Sequence, residues 1–184
     1  LLQAPTGSGK TYAAMGHVLS TAAASGSETL GVKLIWVAPL RALSADIADA
    51  ARAMIEGLGL DWEVGTRTGD TSAKEKAKQR SALPDILITT PESLHILIAQ
   101  KGGVERLSSA QAVVVDEWHE LLGSKRGVQV ELAVSWIAQR SAQKGLDMRV
   151  WGISATLAEP ELALEALVGS SEGALIKADI SKVI

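Results

Sequence analysis

The chain has 184 residues, enough for one domain that buries about 70% of its unfolded surface and short for two. A composition of 47% hydrophobic and 21% charged residues, with 17 glycines, 5 prolines and no cysteine, excludes disorder, collagen-like repeats, coiled coil, disulfides and thiolate metal sites. The formal charge of −3 argues against a broadly basic surface, but the acidic excess is local: residues 1–110 carry 11 basic and 11 acidic side chains, residues 111–184 carry 7 and 10.

Leu1 to Ala4 is an apolar run that reads as a strand and leads into a glycine loop at the head of a helix. Loop composition follows around Ser25 to Glu28, and Leu34 to Ala38 forms the next strand. Residues 43–58 then place Leu43, Ile47, Ala51, Met54, Ile55 and Leu58 on one helical stripe, with Ser44, Asp46, Asp49, Arg52 and Glu56 facing away. Lys74, Lys76, Lys78 and Arg80 alternate along a short helix and read as a solvated face.

Ile86 to Thr89 is a third strand, after which Thr90 as cap and Pro91 at the first helical position start a helix through Leu94 to Ala99. Ala112 to Val115 is a fourth strand, residues 126–143 form a long helix, and Val150 to Ser154 is a fifth strand. Gly169 to Gly173 has loop composition, and Ala174 to Ala178 reads as a last strand before a linker over residues 179–184. The five principal strands lack interior charges, as parallel strands buried on both faces do. Strands alternating with helices predict an α/β fold, a mostly parallel sheet flanked by helices on both faces, with ligands at the carboxyl ends of the strands. No apolar run reaches the thickness of a bilayer and no secretory signal opens the chain, so a soluble, cytoplasmic protein without membrane contact is expected. The opening on Leu1 rather than Met reads as a chain cut from something larger.

Ala4-Pro5-Thr6-Gly7-Ser8-Gly9-Lys10-Thr11 stands between a strand and a helix, the setting a phosphate-binding loop requires. Gly7 and Gly9 allow a tight turn and a close backbone approach, so the N–H groups of Thr6 to Thr11 and the helix N-terminus can hold phosphate. Lys10 would reach the β- and γ-phosphates of ATP and Thr11 would give its hydroxyl to Mg²⁺. Asp116-Glu117 follows a buried strand directly, and two adjacent carboxylates there are costly without a cation or donors. Asp116 fits Mg²⁺ binding and Glu117 fits activation of the attacking water, although alone the pair also reads as helix-capping acids. Ser154-Ala155-Thr156, taken alone, is a turn and cap. No second His stands four residues from His119, so a zinc helix is not indicated.

The three motifs, in this order on these elements, resemble the first RecA-like motor domain of superfamily 2 helicases, a P-loop NTPase fold, over residues 1–178. The resemblance accounts for Ala4, because the family's loop commonly reads A-x-T-G-x-G-K-T. It implies that Arg41 in Pro39-Leu40-Arg41-Ala42-Leu43, Gly69 in Thr68-Gly69-Asp70 and Thr90 in Thr89-Thr90-Pro91-Glu92 contact nucleic acid. Each is also placed to grip phosphates without reading bases. It further implies that His119 bonds towards Ser154 or Thr156 and couples the nucleotide site to the nucleic-acid track.

The stretch Asp116-Glu117-Trp118-His119-Glu120-Leu121-Leu122-Gly123-Ser124-Lys125-Arg126-Gly127, with Thr66 to Asp70, is similar to the large helicase-related (Lhr) family. It looks most like the ligase-associated DEXH-box DNA repair helicases. That likeness implies an ATP- and Mg-dependent 3′-to-5′ translocase on single-stranded DNA, with repair proteins such as a ligase as partners. It also implies a second RecA-like domain carrying the arginine finger, and adenine-recognising residues before Leu1, so the chain alone is expected to hydrolyse ATP weakly or not at all. Two other readings stand beside it: an RNA-remodelling ATPase, because phosphate contacts discriminate sugars poorly, and a nucleotide-gated binding module without robust turnover. Lys125 and Arg126 are expected to touch the nucleic acid or the further domains.

Overall fold

Every strand pairing in the computed structural model is parallel, and the strands join in one sheet. Residues 1–24, 31–169 and 172–178 are described; the loop expected over Ser25 to Glu28, residues 170 and 171 of the loop after Gly169, and the linker expected over 179–184 lie outside them. The strands are β1 (Leu2–Gln3), β2 (Leu34–Val37), β3 (Val64–Arg67), β4 (Ile86–Thr89), β5 (Ala112–Val115), β6 (Arg149–Ser154) and β7 (Ile176–Lys177), in the order β3-β4-β2-β5-β6-β1-β7. The helices are α1 (Lys10–Ala24), α2 (Arg41–Gly57), α3 (Ala73–Ser81), α4 (Pro91–Ala99), α5 (Gly103–Leu107), α6 (Trp118–Leu121), α7 (Lys125–Gln143) and α8 (Pro160–Val168).

Strands β2, β4 and β5 are buried along their whole length because helices cover both faces. Leu34, Trp36, Ile86, Ile88, Ala112 and Val114 face the core built with α1 and α2. Ile35, Val37, Leu87, Val113 and Val115 face the core built with α4, α5, α7 and α8. The period of two along each strand thus separates two cores on opposite faces. No helix among the described residues is long and apolar enough to cross a membrane.

The expected strands form, with the first and last trimmed to two residues each. Strand β3 is an addition, since Val64-Gly65-Thr66-Arg67 has no aliphatic run to announce it. It is an edge strand paired only with β4, and the Gln79 amide of α3 donates to the Thr66 carbonyl at 3.0 Å, so tertiary partners define it. Ser44 corrects the helical stripe expected over 43–58: it is 3% exposed, while Leu58 is 50% exposed. Helix α2 lies on the sheet through a seam of small residues, Ser44, Ala48 and Ala51, flanked by Ile47 and Ile55, and it ends before Leu58.

The cap read from sequence at Thr90 is present, its hydroxyl accepting from the Ser93 amide at 3.4 Å with Pro91 at the first helical position. Helix α7 is capped as well, the Ser124 hydroxyl accepting from the Gly127 amide at 3.1 Å. Gly127 is required for a second reason: a Cβ there would stand 2.2 Å from the Leu121 carbonyl oxygen. Gly127→Ala is expected to destabilise the fold by about 1–3 kcal/mol in urea titrations followed by circular dichroism. Gly57→Ala, where a Cβ has open space, is the contrasting control and should be neutral to slightly stabilising.

Candidate nucleotide and nucleic-acid site

Strand β1 delivers the glycine loop and β5 delivers the acid pair, with β6 between them in the sheet. Gln3 is level with Ser154 and Val115 with Gly152, so loop, acids and hydroxyl emerge on one edge. Gly7 (φ 78°) and Gly9 (φ 81°) adopt left-handed conformations, which a side chain would resist. The Lys10 ammonium donates to the carbonyls of Ala4 (2.7 Å) and Pro5 (2.9 Å), folding its stem across the loop. Lys10 opens α1, so the amides of the helix's first turn and the ammonium sit together. Thr6, Gly7, Gly9, Lys10 and Thr11 line a cleft of about 400 Å³ that Asp116 and Glu117 close from the other side.

Asp116 is 8% exposed. Burial, and then the charge of Glu117, push its carboxyl above the usual range, against the pull of the Glu117 amide (2.9 Å), the Trp36 indole (3.3 Å) and Lys10. A carboxylate held this way gains from a cation facing it. Glu117 adopts φ 44°, the left-handed conformation found at no other non-glycine among the described residues, and its buried Oε2 lies 3.4 Å from His119 Nδ1 without a closer donor. Backbone strain and a loosely held acceptor at one residue fit a group held ready for a reactant. Thr11 and Asp116 fit Mg²⁺, a hard cation that takes a few protein oxygens and completes its shell with water and phosphate. Among the described residues no group of three or more acidic, His or Cys side chains offers a self-sufficient metal cage.

His119 meets Ser154 as expected, Nδ1 to Oγ at 3.0 Å, but not the Thr156 side chain. The Ser154 hydroxyl instead donates to the Thr156 carbonyl at 2.9 Å, and the Thr156 side chain is exposed. With that proton committed, Nδ1 must be the donor to Ser154, and the Glu117 Oε2 at 3.4 Å reinforces an N–H there.

The three candidate nucleic-acid residues lie along the same edge. Arg41 begins α2 and pairs with Asp70 at 2.8 Å, its guanidinium lying over Gly69, so a Cβ at Gly69 would approach it to 3.1 Å. Thr90 is 3% exposed and its hydroxyl serves as the cap of α4, so it is not displayed as a surface donor. Of the basic run, Lys76 donates to the Gly69 carbonyl at 3.0 Å and Lys78 pairs with Glu63, so these lysines brace the fold instead of forming one basic rim. Arg126 is also engaged, bonded to Glu92 and to the Pro39 carbonyl.

Sequence reasoning missed Trp36 and the α2 residues Leu43, Asp46, Ile47 and Ala50 that wall the nucleotide cleft. Trp36 carried a signal, since an indole N–H in an all-aliphatic strand needs a buried acceptor. Nothing local marked the α2 residues, whose role comes from helix placement.

A glycine loop and an acid pair on one edge of a parallel sheet define the class as a P-loop domain of RecA-like fold. Residues 1–163 match the DEAD/DEAH box helicase family, and the chain belongs to it. Its relatives include the ATP-dependent helicase Lhr-Core of Methanothermobacter thermautotrophicus, 37% identical with 94% of this chain and 21% of the relative covered. Lhr-Core of Sulfolobus acidocaldarius is 38% identical with 93% and 20% covered. The structure of Mycobacterium smegmatis helicase Lhr bound to ssDNA and AMP-PNP superposes with a TM-score of 0.79 at 33% identity, covering 98% of this chain and 24% of that one. The chain thus spans about a fifth of the length of these Lhr-Core relatives.

The His119 geometry makes a spectroscopic prediction. Long-range ¹H–¹⁵N correlation spectra of the neutral imidazole should show the proton on Nδ1, whereas an Nε2–H tautomer would overturn the donor assignment.

Proposed function

We propose that this chain is the ATP-binding half of a nucleic-acid motor, in which Lys10 and the loop amides hold the phosphates and Glu117 accepts the proton of the attacking water. The observation that carries this reading is the strained Glu117, whose carboxylate lines the same cleft as Lys10. Thr11 and Asp116 would hold Mg²⁺, which when bound neutralises charge on the phosphates. Lys10, already 9% exposed, loses little freedom on transferring its donors from loop carbonyls to phosphate. His119, fixed by Ser154, would pass the state of Glu117 to the neighbouring strand end.

Arg41, the Gly69 backbone and the turn at Thr90 that starts α4 would take the nucleic-acid backbone, a grip suited to stepping over any sequence. The resemblance of the motifs to the Lhr family adds the finer reading of a 3′-to-5′ translocase on single-stranded DNA in repair, completed by a second RecA-like domain with an arginine finger. On that reading residues 1–178 form one motor half, and the chain alone binds nucleotide but turns it over slowly.

The test is nucleotide binding and ATP hydrolysis, measured with single-stranded DNA, RNA and duplex, on the chain and on the longer protein that carries it. Lys10→Ala is expected to weaken nucleotide binding at least about tenfold. Glu117→Gln should retain binding and lower hydrolysis about 100-fold or more. Stimulation by RNA alone would replace the DNA reading with the RNA-remodelling one, and full hydrolysis by Glu117→Gln would remove Glu117 from the reaction.

A further inference from the structure

Arg126 is the second residue of α7 and is referenced to the acid pair without slack. Helix α6 starts one residue after Glu117, the Ser124 hydroxyl donates to the Leu121 carbonyl at 2.6 Å, and Gly127 packs against that same carbonyl. From this fixed base the guanidinium reaches two other strand ends. Its Nε donates to Glu92 at 2.6 Å, in the first turn of α4, and its Nη2 donates to the carbonyl of Pro39, two residues before Arg41. One side chain therefore ties the end of β5 to the turns after β2 and β4, the turns that hold the nucleic-acid donors of the proposed function.

Glu92 shows why the tie matters. A carboxylate in the first turn of a helix sits beside the free amides and suits the helix dipole. Its charge repels a phosphate approaching that strand end. Burial pushes the Glu92 carboxyl up, yet the hydrogen bond from Arg126 and its charge, together with local donors, hold it below its ordinary value. Arg126 both neutralises that charge and fixes where it points. Two of its donor groups are thereby spent on protein acceptors, which counts against the expectation that it grips the nucleic acid itself.

We propose that Arg126 is a positioning residue that neutralises the Glu92 carboxylate and anchors the Pro39 turn, so that Arg41 and the start of α4 are held in place to receive a single-stranded nucleic-acid backbone. This rests on the proposed nucleic-acid grip, and the test separates the two.

Binding of a fluorescent single-stranded oligonucleotide, DNA and RNA in separate arms, is measured by anisotropy over a range of salt for the wild-type chain, Arg126→Ala, Arg126→Lys and Arg126→Ala combined with Glu92→Gln. Affinity of a fluorescent ATP analogue is the fold and nucleotide-site check and should stay within about twofold. Arg126→Ala is expected to weaken oligonucleotide binding about tenfold with the salt slope unchanged. Arg126→Lys should recover part of the loss, and adding Glu92→Gln should recover most of it, because the repelling charge is gone. A salt slope that falls by about 0.7 in Arg126→Ala would show a direct phosphate contact and overturn the inference. So would wild-type affinity in Arg126→Ala, or failure of Glu92→Gln to rescue it. A wild-type chain that binds neither DNA nor RNA overturns the nucleic-acid reading and the inference with it.

Discussion

In a parallel sheet all strands run out on the same edge, and in this chain the register makes that edge sharp. Arg67 is level with Thr89, Thr89 with Val37, Val37 with Val115 and Val115 with Gly152, while Ser154 is level with Gln3. Each motif begins within a residue or two of those positions. A phosphate loop, two acids, a histidine partner and the three turns proposed to hold a nucleic-acid backbone are thereby gathered from across the sequence by strand pairing. A slip of one residue in β5 would turn Asp116 to the other face and separate it from Lys10.

The two edges of the sheet treat charge differently. At the amino edge, Lys33 pairs with Asp85 and lies 4.9 Å from the Trp62 ring, and Asp85 also accepts from the Glu63 amide at 2.8 Å. Those groups satisfy one another, as buried charges must. At the carboxyl edge, Asp116 is raised by burial and Glu117 sits in a left-handed backbone with no donor to its Oε2 closer than His119 Nδ1 at 3.4 Å. That arrangement costs stability, and the asymmetry sets this edge apart as the candidate site without reference to any motif.

Much of this was legible in the chain. The aliphatic runs at β2, β4 and β5 and the cap at Thr90 are local chemistry, and they appear where the residues place them. Strand β3 was not legible, because Gly65, Thr66 and Arg67 are fixed by β4 and α3 rather than by their own pattern. Nor was the burial of Ser44, since a hydroxyl reads as a surface group until a helix packs through its small residues. Thr90 was found for its position, although its own hydroxyl is occupied in capping.

The sequence by itself determined the phosphate loop, the acid pair, the alternation of strands and helices, and the helicase family to which they point, because each depends on residue type and spacing over a few positions. Only the tertiary structure decided that Trp36 braces Asp116, that His119 meets Ser154 and not the Thr156 side chain, and that Arg126 joins Pro39 to Glu92. Those contacts span 80, 35, 87 and 34 residues of chain, in that order with the Arg126 bonds to Pro39 and Glu92 last. At such separations a side chain's partner is set by strand order and helix packing, which no local pattern encodes.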